Sequence, residues 1–569
     1  MRNPFEYDAA PNLDPQQLID WYIEDFNYSR FMTSRRNLMI NGERGSGKSM
    51  TLIYHSLTYA AKRQALENET TDRIIGIYVP CNTPLSSKEE HRLLPPISQM
   101  RIAEANLTLS IVTNLAREMK HEAARLTAGD REFLRREFAF AMEVEVAEGD
   151  GCPFDELRRQ ARARVRSIQL RLQGAEFDQG DAVDTFLMLV LPILEAIRAT
   201  EAFRDVHFSL LIDDAQDLNE HQRRLMNSWL GYRENSVFSI KMAIAGIRTY
   251  DFSTAHGGSI LEGHDYVTVD LQRPVQNKDS EFGQFARNVI AKRLVNAGIT
   301  VPPDTFFPVS KAFAGRLDKA KEQAEADAVA RGYTPGSNQY RDYVYKHGRA
   351  AYFRNRDPKA NKPVYSGFGT ITHLSTGVIR NLLQPCFVMF ERQTSKIGGK
   401  PPREVEPDVQ DDVVKTQSDR LWELIENNLE KRLPNCTVED GQAIARLFTR
   451  LAEYFRERLL HHASEPRVVT FIISERDHPD YPKVERLLLL AERAQVVYVR
   501  LGTSKKGGGR ENYYVPNRML WPRYGLDAHG QHGRASLRAQ DLWAAANANT
   551  PLALDREADS RGQGSLFDA

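Results

Sequence analysis

An α/β architecture, a parallel sheet covered by helices on both faces, is predicted by three features of this sequence. Short apolar runs recur between helix-patterned stretches, one run leads into a glycine-rich loop, and another ends in two carboxylates. The runs are Asn37–Ile40, Ile74–Val79, Phe208–Ile212, Phe238–Ala245 and Tyr266–Leu271. They are apolar almost throughout rather than alternating, the pattern of strands buried on both faces.

The chain has 569 residues, more than one ordinary core holds, so several domains are expected. Lysine and arginine total 76 and aspartate and glutamate total 76, a formal net charge of zero. Any nucleic-acid contact therefore has to be a local patch. Hydrophobic residues make up 41% and charged residues 27%, the balance of a globular protein. Cys81, Cys152, Cys386 and Cys436 form no CxxC pair, so ordinary thiols of a cytoplasmic protein are expected rather than disulfides or a zinc site. The first residues lack the apolar core of a signal peptide. Phe186–Leu194, the most apolar run, is too short to span a bilayer and is broken by Pro192, so it reads as a buried helix and no membrane contact is expected.

Residues 1–36 read as a helical lead-in and 37–275 as the sheet-bearing core, interrupted by a helical insertion at about 86–200. Residues 276–392 form a helical region with a polar stretch at 318–362. Lysine, proline, aspartate and glycine at 393–415 suggest a linker. Residues 416–528 read as helices followed by a small α+β segment, and 545–569 as a disordered tail. Within the α+β segment a helix at Val484–Ala494 precedes a glycine-tipped hairpin between Gln495–Leu501 and Tyr513–Val515, the shape of a winged helix.

Gly42-Glu43-Arg44-Gly45-Ser46-Gly47-Lys48-Ser49, between the first strand and a helix, is a complete phosphate-binding loop. Its glycines let backbone N–H groups face a phosphate, Lys48 is suited to neutralise the β- and γ-phosphates, and Ser49 to ligate Mg²⁺. Leu210-Leu-Ile-Asp213-Asp214 carries its charge at the sheet's carboxyl edge, beside that loop. Asp213 is the candidate Mg²⁺ ligand and Asp214 the candidate base that orients a water. Arg248, just past the fourth strand, either touches the γ-phosphate or makes a surface ion pair. Arg380, in Gly377-Val-Ile-Arg380, either reaches back to the nucleotide or is a solvated helix arginine.

Taken in order, these motifs resemble the AAA+ ATPases of the origin-recognition-complex type, near the STAND signalling NTPases. The resemblance implies an α/β P-loop NTPase core, a helical lid and a C-terminal winged-helix-like α+β domain. It also implies ATP and Mg²⁺ as cofactors and assembly into homo-oligomers or with an effector protein. Arg248 then falls at the first sensor position and Arg380 at the second. Two departures, Asp214 where most such enzymes have glutamate and Arg248 where asparagine or threonine is usual, point to slow turnover and a switch rather than a motor. No arginine acting on a neighbouring subunit stands out, and Arg233 and Arg273 are no more than guesses for that role. The general layout is also similar to ATPases of bacterial anti-phage defence loci.

The hairpin tip carries Lys505, Lys506 and Arg510, with Arg518 and Arg523 on the return, a set suited either to a DNA backbone or to solvation of a flexible turn. Gln563, Leu566 and Phe567 near the C-terminus are similar to peptides that plug bacterial sliding clamps. Three functions stay open at this point. They are an ATPase switch acting on DNA or a DNA-associated partner, a STAND-like module whose nucleotide state controls an effector, and a nucleotide-binding scaffold working through its helical insertion.

Overall fold

The computed structural model describes residues 2–6, 9–24, 26–67, 74–81, 93–146, 149–173, 184–232, 237–271, 280–356, 364–461, 465–503, 509–530 and 533–554. The chain divides into two compact units, Asp8–Gln272 and Met1–Tyr7 with Arg273–Ala569.

The first unit is built on five parallel strands, β1 (Leu38–Asn41), β2 (Ile74–Pro80), β3 (His207–Asp213), β4 (Phe238–Ile244) and β5 (Val267–Asp270), in the order β2-β3-β4-β1-β5. All five predicted runs are strands, and every residue of β1, β3 and β4 is buried. Alternate side chains point to opposite faces, which divides the core in two. Leu38, Ile40, Tyr78, Leu211 and Ala243 pack with the helices Pro15–Trp21 and Lys48–Tyr54. Met39, Ile77, Leu210, Ile212 and Met242 face the other way, into a larger core filled by the helical insertion.

That insertion comprises the helices Pro96–Met119, Ala128–Ala141, Pro153–Gln173 and Leu191–Ala199, the last preceded by a π-helical turn at Phe186–Val190. Helix Pro96–Met119 buries Leu107, Ile111 and Leu115 in the sheet's core, so it forms one covering layer of the fold rather than an appendage. Helix Ala128–Ala141 starts with a reciprocal capping box between Thr127 and Asp130.

The second unit is mostly helical. The expected polar stretch at 318–362 is instead largely two packed helices, Lys311–Ala330 and Asn338–Arg354. Helices Ile379–Lys396 and Pro407–Asn427 occupy most of 393–415, where a linker was expected, with Pro407 at a helix start, where its missing N–H costs nothing. The N-terminal residues 2–6 join this unit: Phe5 is fully buried against Phe306, Phe307 and Phe390, and the Asn3 amide donates to Phe387 O at 3.0 Å. A four-stranded mixed sheet follows: β6 (Phe471–Ser474), β7 (Val497–Thr503), β8 (Arg510–Pro516) and β9 (Ala535–Arg538), in the order β7-β8-β6-β9. The basic hairpin is β7–β8, antiparallel from Val497–Pro516 to Thr503–Arg510. Helix Ala539–Ala548 runs into the segment expected to be a disordered tail. The four cysteines are free thiols.

Candidate nucleotide site

The glycine-rich loop leaves β1 at the sheet's carboxyl edge. Gly45 and Gly47 adopt φ of 88° and 101°, the left-handed region open to glycine. At Gly42 a Cβ would lie 2.6 Å from Ser46 Oγ, so a side chain there would displace the Ser46 hydroxyl. Gly47 is the residue before helix Lys48–Tyr54, so the loop's N–H groups and the helix start share one place, the arrangement that binds anions. Lys48 is 5% exposed, and its ammonium donates to Gly42 O at 2.8 Å and Glu43 O at 3.0 Å. Burial lowers its pKa to about 8, partly offset by Asp213, Asp214 and Glu43. Ser46 Oγ is buried without a hydrogen-bond partner among the described residues. Arg44, exposed on the loop, pairs with Asp217 at 3.4 Å, a contact too solvated to stabilise the fold appreciably.

Asp213 ends β3 and is 2% exposed. Its partners are neutral donors: Tyr78 Oη at 2.8 Å, the Asp214 N–H at 3.0 Å and the Ser49 hydroxyl. Burial first, then the neighbouring Asp214, raises its carboxyl above the usual range. A buried carboxylate without an ion pair among the described residues, hydrogen-bonded to the serine of a phosphate loop, fits a divalent metal. Asp214 has φ 53° and ψ 43°, a conformation costing a non-glycine residue roughly 1–2 kcal/mol. Strain of this kind gathers at functional sites, and here it turns the second carboxylate away from the strand.

Two residues that the sequence did not single out hold the pair. Tyr78 comes from β2, where it faces Leu211, and binds the first carboxylate. Gln216 donates from Nε2 to Asp214 Oδ1 at 2.9 Å and accepts from the Ala245 N–H at 3.0 Å through Oε1. It thereby ties the second carboxylate to the end of β4. Gln216 has one weak sequence signal, a polar side chain two residues past an acidic pair. Tyr78 has none, since an apolar strand tolerates tyrosine anywhere.

β4 ends at Ile244; Gly246, φ 79°, follows, and a 3₁₀ turn, Ile247–Thr249, carries Arg248 exposed at the same sheet edge. Asn41 at the end of β1 accepts from the Ile247 N–H and donates to Asp270 Oδ1, both at 3.4 Å, so it links three strand ends. The first unit thus brings Gly42 to Ser49, Asp213, Asp214 and the Arg248 turn to one edge.

Arg380 belongs to the second unit, exposed in the first turn of helix Ile379–Lys396. The residues on either side of it are anchored to the C-terminal sheet. Val378 is fully buried with Tyr498 and Val515, Asn381 Nδ2 donates to Tyr498 Oη at 2.8 Å, and Thr376 Oγ1 accepts from the Arg518 N–H at 2.9 Å.

One of the basic residues near the hairpin, Arg518, is engaged internally, which corrects the sequence expectation for it, whereas Arg523 is exposed. Arg518 is 7% exposed, and its guanidinium donates to His373 Nδ1 at 2.9 Å and His529 O at 3.1 Å. Arg523 pairs with Glu426 at 3.2 Å and lies over the Trp422 ring. Arg510 is exposed at the start of β8. Lys505, Lys506, Gln563, Leu566, Phe567, Arg233 and Arg273 lie outside the described residues. Among the described residues no helix is long and apolar enough to cross a membrane.

No curated protein matches the chain. The profile of the ORC-CDC6-like family matches residues 3–339 and 318–537, which together span nearly the whole of it. With the β2-β3-β4-β1-β5 sheet, the phosphate loop after β1 and the acidic end of β3, the chain belongs to the ORC-CDC6-like family of AAA+ ATPases.

Proposed function

We propose that this protein is a slow ATP-hydrolysing switch that acts on DNA or on a DNA-associated partner. The observation that carries the nucleotide half is the meeting of Lys48, Ser49 and two carboxylates at one sheet edge, with Lys48 occupied by the loop's own carbonyls. When bound, ATP with Mg²⁺ supplies a transferable phosphoryl group and a divalent charge. Lys48 would exchange two carbonyls for phosphate oxygens, and the N–H groups of Gly45 to Ser49 would cradle them. Ser49 and Asp213 would hold the metal, and Asp214 would orient a water and take its proton. Arg248 and Arg380 are the proposed sensors of the terminal phosphate.

Slow turnover is inferred from Asp214, one methylene shorter than the usual glutamate and held in place by Gln216. The switch reading draws on the second unit. The segment bearing Arg380 packs on the base of the β7–β8 hairpin, the hairpin to which the sequence assigns Lys505, Lys506 and Arg510, so Arg380 and that hairpin belong to one packed region. Homo-oligomerisation, engagement of a sliding clamp through the C-terminal Gln563, Leu566 and Phe567, and a role in anti-phage defence complete the proposal as inferences from resemblance. ATPase assays with and without DNA test it. Turnover that rises with DNA and loses that rise in Lys505→Ala/Lys506→Ala/Arg510→Ala supports it, whereas nucleotide-dependent oligomers with turnover indifferent to DNA favour the STAND-like alternative.

A further inference from the structure

Residues 2–6, Arg2-Asn-Pro-Phe-Glu6, belong to the second unit, whereas the chain from Asp8 to Gln272 builds the first. The segment is neither helix nor strand, and among the described residues it makes no backbone–backbone hydrogen bond. Even so, Asn3, Pro4 and Phe5 are buried, Phe5 completely. It is held as a bound peptide is held, by one aromatic anchor and by hydrogen bonds that read its polar atoms.

The walls around the anchor also pack on one another. Phe306 and Phe307 meet edge to face at 5.0 Å, and Phe306 stacks on Phe390 at 6.5 Å. Phe306 O accepts from the Val405 N–H at 2.7 Å and Phe307 O from the Phe368 N–H at 3.0 Å, so the rest of the unit fixes the backbone of both. Phe5 sits among the three rings at 5.6 to 6.0 Å. Asn3 Nδ2 donates to Phe387 O at 3.0 Å and to Glu391 Oε1 at 2.7 Å. Arg293, on helix Glu281–Asn296 and 6% exposed, donates to the Pro4 and Glu6 carbonyls. Asn3 Oδ1 accepts from the Phe5 N–H at 2.9 Å, an asparagine-led turn that Pro4 stiffens. The bound shape is thus largely encoded in three residues, which lowers the entropy lost when a short peptide docks. Arg2 and Glu391 are exposed, so the slot opens to the surface at this rim.

We propose that the second unit carries a recognition pocket for an Asn-Pro-Phe turn, and that residues 2–6 are its ligand, held in cis and exchangeable for the same turn supplied in trans. Glu391 and the Phe387 carbonyl select asparagine at the first position, and the three rings select an aromatic at the third. Aspartate in place of the asparagine would set a like charge against Glu391, so the pocket rejects it. Arg293 reads only carbonyls and tolerates any residue after the phenylalanine. The pocket needs neither nucleotide nor DNA and stands apart from the function proposed above.

The test uses full-length protein without nucleotide and a fluorescein-labelled, amidated peptide of residues 1–6. The Phe5→Ala protein, its slot emptied, should bind the peptide saturably in anisotropy titrations and gain in Tm. The parent should bind at least about tenfold more weakly, because its own segment competes at an effective concentration of order millimolar. A peptide carrying Phe5→Ala should lose about a hundredfold or more, and one carrying Asn3→Ala about tenfold. Adding Glu391→Ala to the Phe5→Ala protein should weaken the unaltered peptide about fivefold and leave the Asn3→Ala peptide little affected, a coupling that a merely structural segment does not produce. Should Phe5→Ala not fold, the Asn3→Ala protein, which keeps its rings filled but its segment loosened, should bind the peptide about tenfold more tightly than the parent. A folded Phe5→Ala protein that binds no peptide, or that binds all three peptides alike, would overturn the proposal.

Discussion

Each unit buries a carboxylate at the end of its own polar network, and the two are built in opposite ways. Asp527, in the second unit, is 1% exposed and faces cations. Arg349 grips it with Nε and Nη2 at 3.0 and 2.9 Å, and Arg467 Nη1 reaches it at 3.2 Å. Burial pushes this carboxyl up, but Arg349 foremost, with His529 and Arg467, outweighs it and holds it far below the usual range. Asp213, in the first unit, is 2% exposed and among the described residues is hydrogen-bonded only by hydroxyls and one N–H, with another acid and the Lys48 ammonium nearby but no ion pair, and its carboxyl is pushed up. A carboxylate already matched by arginines is finished as structure. One supplied only with neutral donors is matched for a cation that arrives with a ligand.

The largest effect expected is on folding. Asp527→Asn strands Arg349 and Arg467 without their counter-charge and should lower unfolding free energy by about 3–5 kcal/mol in urea titrations. Asp213→Asn should leave the nucleotide-free protein as stable as before or more so. Equal losses in both variants would erase the distinction. Next is nucleotide affinity: Lys48→Ala removes the loop's buried cation and should weaken ATP binding at least about a hundredfold by calorimetry, some 2.7 kcal/mol. Turnover follows. Asp214→Asn should keep ATP affinity and slow hydrolysis by about a hundredfold. Gln216→Met, which leaves Asp214 unheld, should cost about tenfold in kcat with KM little changed.

A smaller effect lies in pH dependence. The depressed carboxyl of Asp527 contributes stability that is present above the unfolded value near 3.8 and is lost as pH falls toward the folded value. The raised carboxyl of Asp213 behaves inversely. Its cost is absent below 3.8, grows between that and the folded value, and is full above it. Urea unfolding across pH should therefore show Asp213→Asn gaining on the parent as pH rises from acid to neutral. A constant difference would contradict the assignment.

Much of the first unit was legible because its signals are local. Strands buried on both faces must be apolar along their length, and a phosphate loop must have glycine where φ is positive. What joins neighbouring strands was not legible. Tyr78 meets Asp213 from β2, and Gln216 reaches the end of β4, pairings that depend on strand order. The second unit hid more. Ala320, Ala324 and Ala328 bury one side of a helix with small side chains, so the stretch read as polar. Arg518 looks like any basic residue after a hairpin, and its burial against His373 depends on a helix far away in the sequence.

The most direct test of the claim that Asp213 is kept for a metal is ATP binding measured by titration calorimetry with and without Mg²⁺. The expected result is that Mg²⁺ tightens binding to the parent protein but not to Asp213→Asn, while Lys48→Ala binds poorly in both conditions. An Asp213→Asn protein that keeps the full Mg²⁺ effect would contradict it.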